Sequence, residues 1–211
     1  MNEPNIADDH LLKIKNWLGT GSINIFGLPF AGKDTHGHIL ANLFEAPLLS
    51  SGEVFRSSRD LLTPEDLMIL DTGGLPPSDV FLKLFTPYFS KQEYSARPLI
   101  LSSVGRWIGE EQGILKAAND SGHPIKAVVY LHLSETTLYE RLRSAVKLGD
   151  RSRPEDSEEH IQTRINEFNA KTLPVIEEYR KLGLLIEVNS DATKSEVLES
   201  IIARLFMVSS K

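Results

Sequence analysis

The stretch FGLPFAGKDTHG, residues 26–37, places two glycines and a lysine at the spacing Gly27-x-x-x-x-Gly32-Lys33. An apolar run precedes it and a helical pattern follows it, which is the context that a phosphate-binding loop requires. Glycines let backbone N–H groups turn towards phosphate oxygens, and the following helix N-terminus adds partial positive charge. The alternative is a glycine-rich strand-to-helix turn with a surface lysine. The two flanking elements favour the phosphate-binding loop.

The rest of the chain alternates short β-type runs with longer helical patterns. The β-type runs lie at 23–27, 47–49, 98–103, 126–134 and 184–190, and three of them are almost continuously apolar. Strands that are buried on both faces of a parallel sheet have this composition. Helical patterns follow at 33–43, 78–89, 106–119, 135–147, 155–181 and 194–207, and one amphipathic helix precedes the first strand. This order predicts an α/β P-loop NTPase fold with a five-stranded parallel sheet and helices on both faces.

Composition predicts an ordinary globular protein. A length of 211 residues suits one domain, and 41% hydrophobic with 25% charged residues excludes a disordered or fibrous chain. The chain has no cysteine, which excludes disulfides and thiolate zinc sites. A net charge of −6 argues against general binding to nucleic acid or anionic membranes. We expect a cytoplasmic monomer with no signal peptide and no membrane segment.

The glycine loop resembles that of the nucleoside monophosphate kinases, most closely the adenylate kinases with a short lid. Their loop reads Gly-x-Pro-Gly-x-Gly-Lys-Gly-Thr, and GLPFAGKDT matches it at Gly27, Pro29, Gly32, Lys33 and Thr35. Similarity continues in order from about residue 22 to about residue 208. SSGEVFR at 50–56 and GGLPPSDVF at 73–81 resemble the segments that open and close the monophosphate-binding lobe. PLILSSVGRW, LYERLRSA and RSRPEDSEEHIQTRINEF resemble the later arginine-bearing segments.

The resemblance implies a kinase that transfers the γ-phosphoryl group of ATP to AMP with Mg²⁺ as cofactor, giving two ADP. It also implies a single kinase domain over residues 1–211, with an N-terminal helical extension at 1–21, a monophosphate-binding lobe at about 50–81 and a short lid at about 146–156. The implied ATP-binding residues are Gly27, Pro29, Ala31, Gly32, Lys33, Asp34, Thr35 and Arg141. The implied monophosphate-binding residues are Ser51, Arg56, Arg106, Glu110, Arg153 and Arg164, and the implied catalytic cations are Lys33, Arg106, Arg141, Arg153 and Arg164.

Physical chemistry supports such a set of cations. Phosphoryl transfer between two nucleotides brings two anionic groups together, so the protein has to neutralise charge and align donor with acceptor. Arginine suits this role because its planar fork binds phosphate oxygens bidentately. Arg106 is the strongest single candidate, since it follows the carboxyl end of an apolar strand, where ligands of open α/β sheets collect. For any one arginine, the alternative is an exposed helix salt bridge.

Three departures from the family pattern concern the phosphates. Phe30 replaces a loop glycine, so its ring has to point away from the phosphates. Asp34 adds a carboxylate directly after Lys33, and Ser102 stands where the family has an aspartate that organises magnesium. Our hypothesis is that Asp34 restores the missing carboxylate as a Mg²⁺ ligand. The alternative is that Asp34 only favours the helix N-terminus.

Other departures concern the acceptor and the activity. Glu110 falls where adenylate kinases place a glutamine that reads the base, and a carboxylate would suit the donors of guanine at least as well as adenine. Ala145 replaces an arginine near the lid, and Gly105 replaces a proline before Arg106. The alternatives are therefore a kinase for GMP, CMP or UMP, or a nucleotide-binding protein with little catalysis. His36 and His38 lie roughly 200° apart around a helix, so they form no shared metal face.

Overall fold

The computed structural model describes residues 8–148 and 158–211. Its centre is a five-stranded sheet in the order β2-β3-β1-β4-β5. Every neighbouring pair of strands is parallel. The predicted α/β fold with a five-stranded parallel sheet is therefore confirmed. The strands are β1 Ser22–Gly27, β2 Leu48–Ser50, β3 Leu99–Ser102, β4 Ile125–His132 and β5 Leu185–Asn189.

Ten α-helices surround the sheet in the described part of the chain. They are α1 Asp8–Leu18, α2 Lys33–Phe44, α3 Ser51–Ser57, α4 Pro64–Asp71, α5 Ser78–Phe89, α6 Glu110–Asp120, α7 Glu135–Leu148, α8 Glu158–Glu167, α9 Leu173–Lys181 and α10 Lys194–Val208. A π-helical segment, Phe168–Thr172, joins α8 to α9. Short 3-10 helices occupy Arg59–Leu61 and Gln92–Tyr94.

Two helical predictions differ from the structure. The pattern at 106–119 predicts a helix from residue 106, but α6 begins at Glu110. Gly105 and Gly109 have φ angles of 75° and 94°, which are left-handed and incompatible with a continuing right-handed helix. The pattern at 155–181 predicts one helix, whereas the described residues hold two helices and the π-helical segment between them. Its first three residues lie outside the described part.

The hydrophobic core surrounds the central strand. All six residues of β1 are buried, because β3 and β4 flank it and helices cover the sheet. Asn24 is the polar exception in the middle of this strand. Its side-chain amide donates to the carbonyl oxygen of Val104 at 2.7 Å and accepts from the Val104 N–H at 3.2 Å. Asn24 therefore fixes the backbone that leaves β3, two residues before Arg106.

The parallel register brings several loops to one edge of the sheet. Ile25 pairs with Ser102, and Gly27 pairs with Leu131, so β1, β3 and β4 end at nearly the same level. β4 and β5 end together where His132 pairs with Asn189. The loop after β1, the turn after β3 and the loop after β5 consequently leave the sheet at its carboxyl edge, where ligands of open α/β folds bind.

The described residues cover two further segments of the predicted organisation. Helix α1 lies in the predicted N-terminal extension and packs against α10, with the rings of His10 and Phe206 stacked at 3.8 Å. The segment 50–81 holds α3, a 3-10 helix, α4 and the start of α5. Most of the predicted lid at 146–156 lies outside the described residues. In the part that the structure covers, none of the helices has the length and apolar character needed to cross a membrane.

Candidate active site

The glycine loop after β1 is tightly constrained. A Cβ atom on Gly27 would lie 2.8 Å from the carbonyl oxygen of Leu131, so only glycine fits where β1 meets β4. Gly32 has a φ of 89° and caps the N-terminus of α2. Phe30 has a φ of 60°, and its half-buried ring packs against the hydrophobic core. The loop thus accommodates a phenylalanine at the position where the resemblance implies a glycine.

The predicted ATP-binding residues other than Arg141 lie together in this loop and the first turn of α2. Pro29 and Ala31 lie within the loop, and Thr35 lies in the first turn of the helix. The Nζ atom of Lys33 donates a hydrogen bond to the carbonyl oxygen of Leu28 at 2.7 Å. The ammonium group is therefore held at the mouth of the loop, close to where the loop's own backbone would surround phosphate oxygens.

Asp34 and Ser102 come into contact across the sheet edge. The hydroxyl of Ser102, at the end of β3, donates to Oδ1 of Asp34 at 3.4 Å. The two residues are 68 positions apart in the sequence. The carboxylate of Asp34 therefore lies beside Ser102, the residue that stands where the resemblance implies an aspartate. This position is consistent with the hypothesis that Asp34 restores the missing carboxylate.

His36 lies directly below the loop. It is 2% exposed, and its Cδ2 atom is 3.2 Å from the place that a Cβ on Gly32 would take. Burial lowers the pKa of His36 from 6.5 to about 4, and the charges of Arg141 and Lys194 act in the same direction. The ring is consequently neutral at pH 7 and adds no charge beneath the loop. His38 is exposed, and no cluster of three or more His, Asp or Glu residues that could hold a metal ion occurs among residues 8–148 and 158–211.

The second part of the candidate site, the second cavity, is lined largely by segments that follow β2 and β3. It collects all the described residues that the resemblance implies for monophosphate binding. They are Ser51, Arg56, Arg106, Glu110 and Arg164. Their segments are α3, the turn after β3, the start of α6 and α8, so four separate parts of the chain build the cavity. Arg153 lies outside the described residues.

Arg106 is the central cation of this cavity. Burial lowers the pKa of its guanidinium to about 10, and the positive charge of Arg164 contributes in the same direction. The carboxylates of Glu167 and Glu110 oppose this shift. No hydrogen bond or salt bridge to its guanidinium is found among the described residues. An anionic ligand would therefore meet a guanidinium whose donors are not taken by the described residues.

Glu110 has a structural contact that the sequence did not predict. Its Oε2 atom accepts hydrogen bonds from the backbone N–H groups of Arg106 at 2.6 Å and Trp107 at 2.9 Å. The other oxygen, Oε1, is buried. Burial raises the pKa of the Glu110 carboxyl, and the hydrogen bonds from Trp107, Arg106 and the hydroxyl of Ser78 oppose this rise. Glu110 therefore anchors the turn that carries Arg106.

Arg141 contacts main chain. Its Nη1 atom donates to the carbonyl oxygen of Phe30 at 2.9 Å. Its Nη2 atom donates to the carbonyl oxygens of Ser190 at 2.5 Å and Ala192 at 3.2 Å. The guanidinium thus connects the glycine loop to the loop after β5.

Several residues that sequence reasoning missed also line the second cavity. The guanidinium of Arg59 forms a bidentate salt bridge with Asp71, at 2.9 and 3.1 Å. Both residues line the cavity wall, as do the apolar side chains of Phe55 and Phe81. A cavity lined by both aromatic side chains and arginines is suited to a ligand with a flat apolar part and an anionic part.

Comparison with known proteins agrees with this geometry. The family model described as adenylate kinase matches residues 25–184. The chain belongs to the adenylate kinase family. An adenylate kinase of Leptospira biflexa is 27% identical over 180 residues, which cover 83% of this chain and 95% of that protein. Adenylate kinases of Corynebacterium glutamicum and Prochlorococcus marinus are 28% and 26% identical, over 79% and 86% of this chain and 90% and 95% of their own lengths.

Family membership makes the chain a phosphotransferase of the nucleoside monophosphate kinase type. The glycine loop follows β1 and the second cavity is lined by segments after β2 and β3, so both lie towards the carboxyl edge of the sheet. The loop and the first turn of α2 hold the predicted ATP-binding residues apart from Arg141, which lies on α7. The second cavity holds the described residues predicted to bind the monophosphate. Gly105, which stands where the family has proline, has a φ of 75°, a value that proline does not reach.

The buried His36 predicts a dependence of stability on pH. In the unfolded chain His36 takes up a proton below about pH 6.5, whereas in the folded protein it does so only near pH 4. Its contribution to stability is therefore complete above pH 6.5 and is lost as the pH falls towards 4. Between pH 7 and pH 5 this group should lower the free energy of unfolding by about 2 kcal/mol.

Urea unfolding at pH 7 and pH 5 measures this effect in the wild type and in His36→Gln. The substitution should remove about 2 kcal/mol of the pH-dependent loss. His38→Gln is the matched control on the exposed side of α2, and it should retain the wild-type difference. Equal pH dependence in the wild type and His36→Gln would show that His36 is not buried in its neutral form.

Proposed function

We propose that the chain transfers the γ-phosphoryl group of Mg-ATP to AMP and releases two ADP. The observation that supports this best is the pairing of two sites at one sheet edge. The glycine loop leads into Lys33 after β1, and a separate cavity lined by segments after β2 and β3 contains Arg56, Arg106 and Arg164. A kinase that uses a nucleotide as acceptor needs both sites at once, whereas an ATPase needs only the first.

The chain's own residues supply charge and alignment. In the proposed complex, backbone N–H groups of the glycine loop and the ammonium of Lys33 bind the donor phosphates. Arg56, Arg106 and Arg164 bind the acceptor phosphate and hold its oxygen in line with the γ-phosphorus. Arg106 remains protonated at pH 7, since its pKa is about 10, so it provides a full positive charge there. Transfer is direct, because the acceptor oxygen itself is the nucleophile.

The acceptor base has a place in the same cavity. Phe55 and Phe81 offer an apolar wall, and Ser51 and Glu110 offer polar groups. The hydroxyl of Ser51 donates to the carbonyl oxygen of Ser103, which fixes α3 against the turn after β3. The carboxyl group of Glu110 lines the same cavity and, when ionised, would accept a hydrogen bond from the exocyclic amino group of adenine.

Magnesium fits the residues at the donor site. Mg²⁺ prefers hard oxygen ligands and is usually held by one or two carboxylates together with substrate phosphates and water. Asp34 and Ser102 present such oxygens next to the glycine loop, 3.4 Å from each other. When bound, the ion would neutralise the charge of the β- and γ-phosphates. We propose that Asp34 holds the ion's water shell in place of the absent family aspartate.

The cellular setting and the assembly state are part of the same proposal. ATP and AMP are intracellular nucleotides, so we place the enzyme in the cytoplasm. Each of the two nucleotide sites is built by residues of a single chain, so a monomer suffices for activity.

The first test is ADP formation from Mg-ATP with AMP, GMP, CMP, UMP and dAMP as acceptors. We expect turnover to be fastest with AMP. Lys33→Met and Arg106→Ala should each lower the rate by about two to four orders of magnitude, because each removes a charge that the transferring group needs.

Lys116→Met is the control for the loss of a lysine, because Lys116 is exposed on α6 and forms its salt bridge with Asp120. It should keep the wild-type rate. The proposal is wrong if no acceptor yields ADP from a folded protein, and turnover with GMP alone would reassign the acceptor.

The magnesium role of Asp34 has its own test. Asp34→Ala should raise the Mg²⁺ concentration for half-maximal activity by about tenfold, because the carboxylate that orders the ion's waters is lost. Calorimetric titration of ADP with and without Mg²⁺ provides a second readout. Adding Ser102→Asp to Asp34→Ala should restore the wild-type Mg²⁺ dependence, since it returns a carboxylate to the end of β3.

Asp79→Ala is the matched control, because Asp79 is an exposed acidic residue in the first turn of α5. If Asp34 only favoured the helix N-terminus, both substitutions would lower stability and neither would change the Mg²⁺ titration. An unchanged titration in Asp34→Ala would exclude the magnesium role.

A further inference from the structure

The glycine loop contains a strained peptide that has to be held in place. Phe30 has a φ of 60°, in the left-handed region that residues with a side chain rarely adopt. Such a conformation costs on the order of 1–2 kcal/mol relative to glycine and persists only when surrounding contacts fix it. The loop before α2 must therefore be stabilised from outside if it is to keep a phosphate-binding shape.

Arg141 supplies one of these contacts. Arg141 lies on α7, and its guanidinium donates from Nη1 to the Phe30 carbonyl oxygen at 2.9 Å. The same nitrogen is 3.5 Å from the hydroxyl of Ser190, and Nη2 contacts the carbonyl oxygens of Ser190 and Ala192. Both terminal nitrogens of Arg141 are thus committed to the protein's own backbone and to Ser190.

Ser190 supplies the second contact. Its hydroxyl donates to the carbonyl oxygen of Ala31 at 2.7 Å. Ser190 is 1% exposed, and its N–H donates to the carbonyl oxygen of His132 at 2.7 Å, which ties it to the end of β4. The loop carbonyls of two successive residues, Phe30 and Ala31, are therefore bound to groups that the sheet and α7 hold rigidly.

Fixing a carbonyl also fixes the N–H of the same peptide. A trans peptide is planar, with its C=O and N–H pointing in opposite directions. When Ser190 holds the Ala31 carbonyl, the N–H of Gly32 points away from Ser190. When Arg141 holds the Phe30 carbonyl, it fixes the peptide whose N–H, on Ala31, closes the turn onto Leu28 at 3.2 Å. These two contacts determine the shape of the loop that would surround phosphate.

We propose that Arg141 and Ser190 are positioning residues that form a brace behind the glycine loop and hold it in its nucleotide-binding shape. The brace compensates for the strain that Phe30 introduces. On this account, Arg141 influences the donor nucleotide through the loop backbone. The inference rests on the proposed function, because it assumes that the loop binds the phosphates of ATP.

A double-mutant cycle between Phe30 and Arg141 tests the brace. Calorimetry gives the dissociation constant of ATP for the wild type, Arg141→Gln, Phe30→Gly and the double variant. Arg141→Gln should weaken ATP binding by about tenfold, because the charge-assisted hydrogen bond to the Phe30 carbonyl and those that tie Arg141 to the loop after β5 are lost. In the Phe30→Gly background the same change should cost less than about threefold, because glycine adopts the loop conformation without strain.

AMP affinity separates positioning from general damage. It should change by less than about twofold in Arg141→Gln, because Arg141 does not line the second cavity. Arg143→Gln is the matched control: Arg143 is exposed on the same helix, and its variant should bind ATP like the wild type. Ser190→Ala should weaken ATP binding, also with a smaller penalty in the Phe30→Gly background, and it decides the question if Arg141→Gln does not fold.

Each outcome has a distinct meaning. A wild type that does not bind ATP overturns the proposed function. A wild type that binds ATP, with an equal Arg141→Gln penalty in both backgrounds, overturns the brace and shows that Arg141 contacts the nucleotide directly. A penalty that falls in the Phe30→Gly background, with AMP affinity unchanged, supports the brace.

Discussion

The parallel arrangement of the five strands is the constraint on which the site depends. In an all-parallel sheet every strand ends at the same edge, so loops that are distant in sequence converge there. The glycine loop follows β1, the Arg106 turn follows β3, and the loop with Ser190 follows β5. An acidic protein with a net charge of −6 can therefore concentrate positive charge at one edge without being basic overall.

Buried polar contacts turn this convergence into a defined geometry. Asn24 pairs with both backbone groups of Val104, and Glu110 accepts from the N–H groups of Arg106 and Trp107. Buried polar groups need partners, so each contact restricts the backbone to a narrow range of conformations. The turn after β3 thus stays ordered even though Gly105 gives it conformational freedom. Rigidity that the family places in a proline is supplied here by side-chain contacts.

The sequence predicted the fold for identifiable reasons. The apolar runs of β1, β3 and β4 indicate strands that are buried on both faces of the sheet. Gly27 and Lys33 have the spacing that a phosphate-binding loop requires. The arginines were assigned through the resemblance, and the structure brings Arg56, Arg106 and Arg164 to one cavity. Arg153 is outside the described residues, so its role stays a prediction.

Other helical features were not predicted. The sequence does contain a start signal for helix α4, since Thr63 and Asp66 form a capping box with a proline at the first helical position. The π-helical segment had none, because the helical pattern runs through it without interruption. Its effect is tertiary: the ammonium of Lys171 lies 4.0 Å from the ring centre of Trp107, and Thr172 donates to the Arg106 carbonyl oxygen at 3.4 Å. The contacts of Glu110 and the burial of His36 likewise depend on residues far away in the chain.

The central claim is that one chain holds two nucleotides at once, one at the glycine loop and one in the second cavity. Calorimetric binding of a bisubstrate dinucleotide, two adenosines joined by a five-phosphate bridge, tests this claim most directly. The account predicts one molecule bound per chain, displacement by either ATP or AMP, and weaker binding in both Lys33→Met and Arg106→Ala. Binding that only ATP displaces, or that Arg106→Ala leaves unchanged, would contradict it.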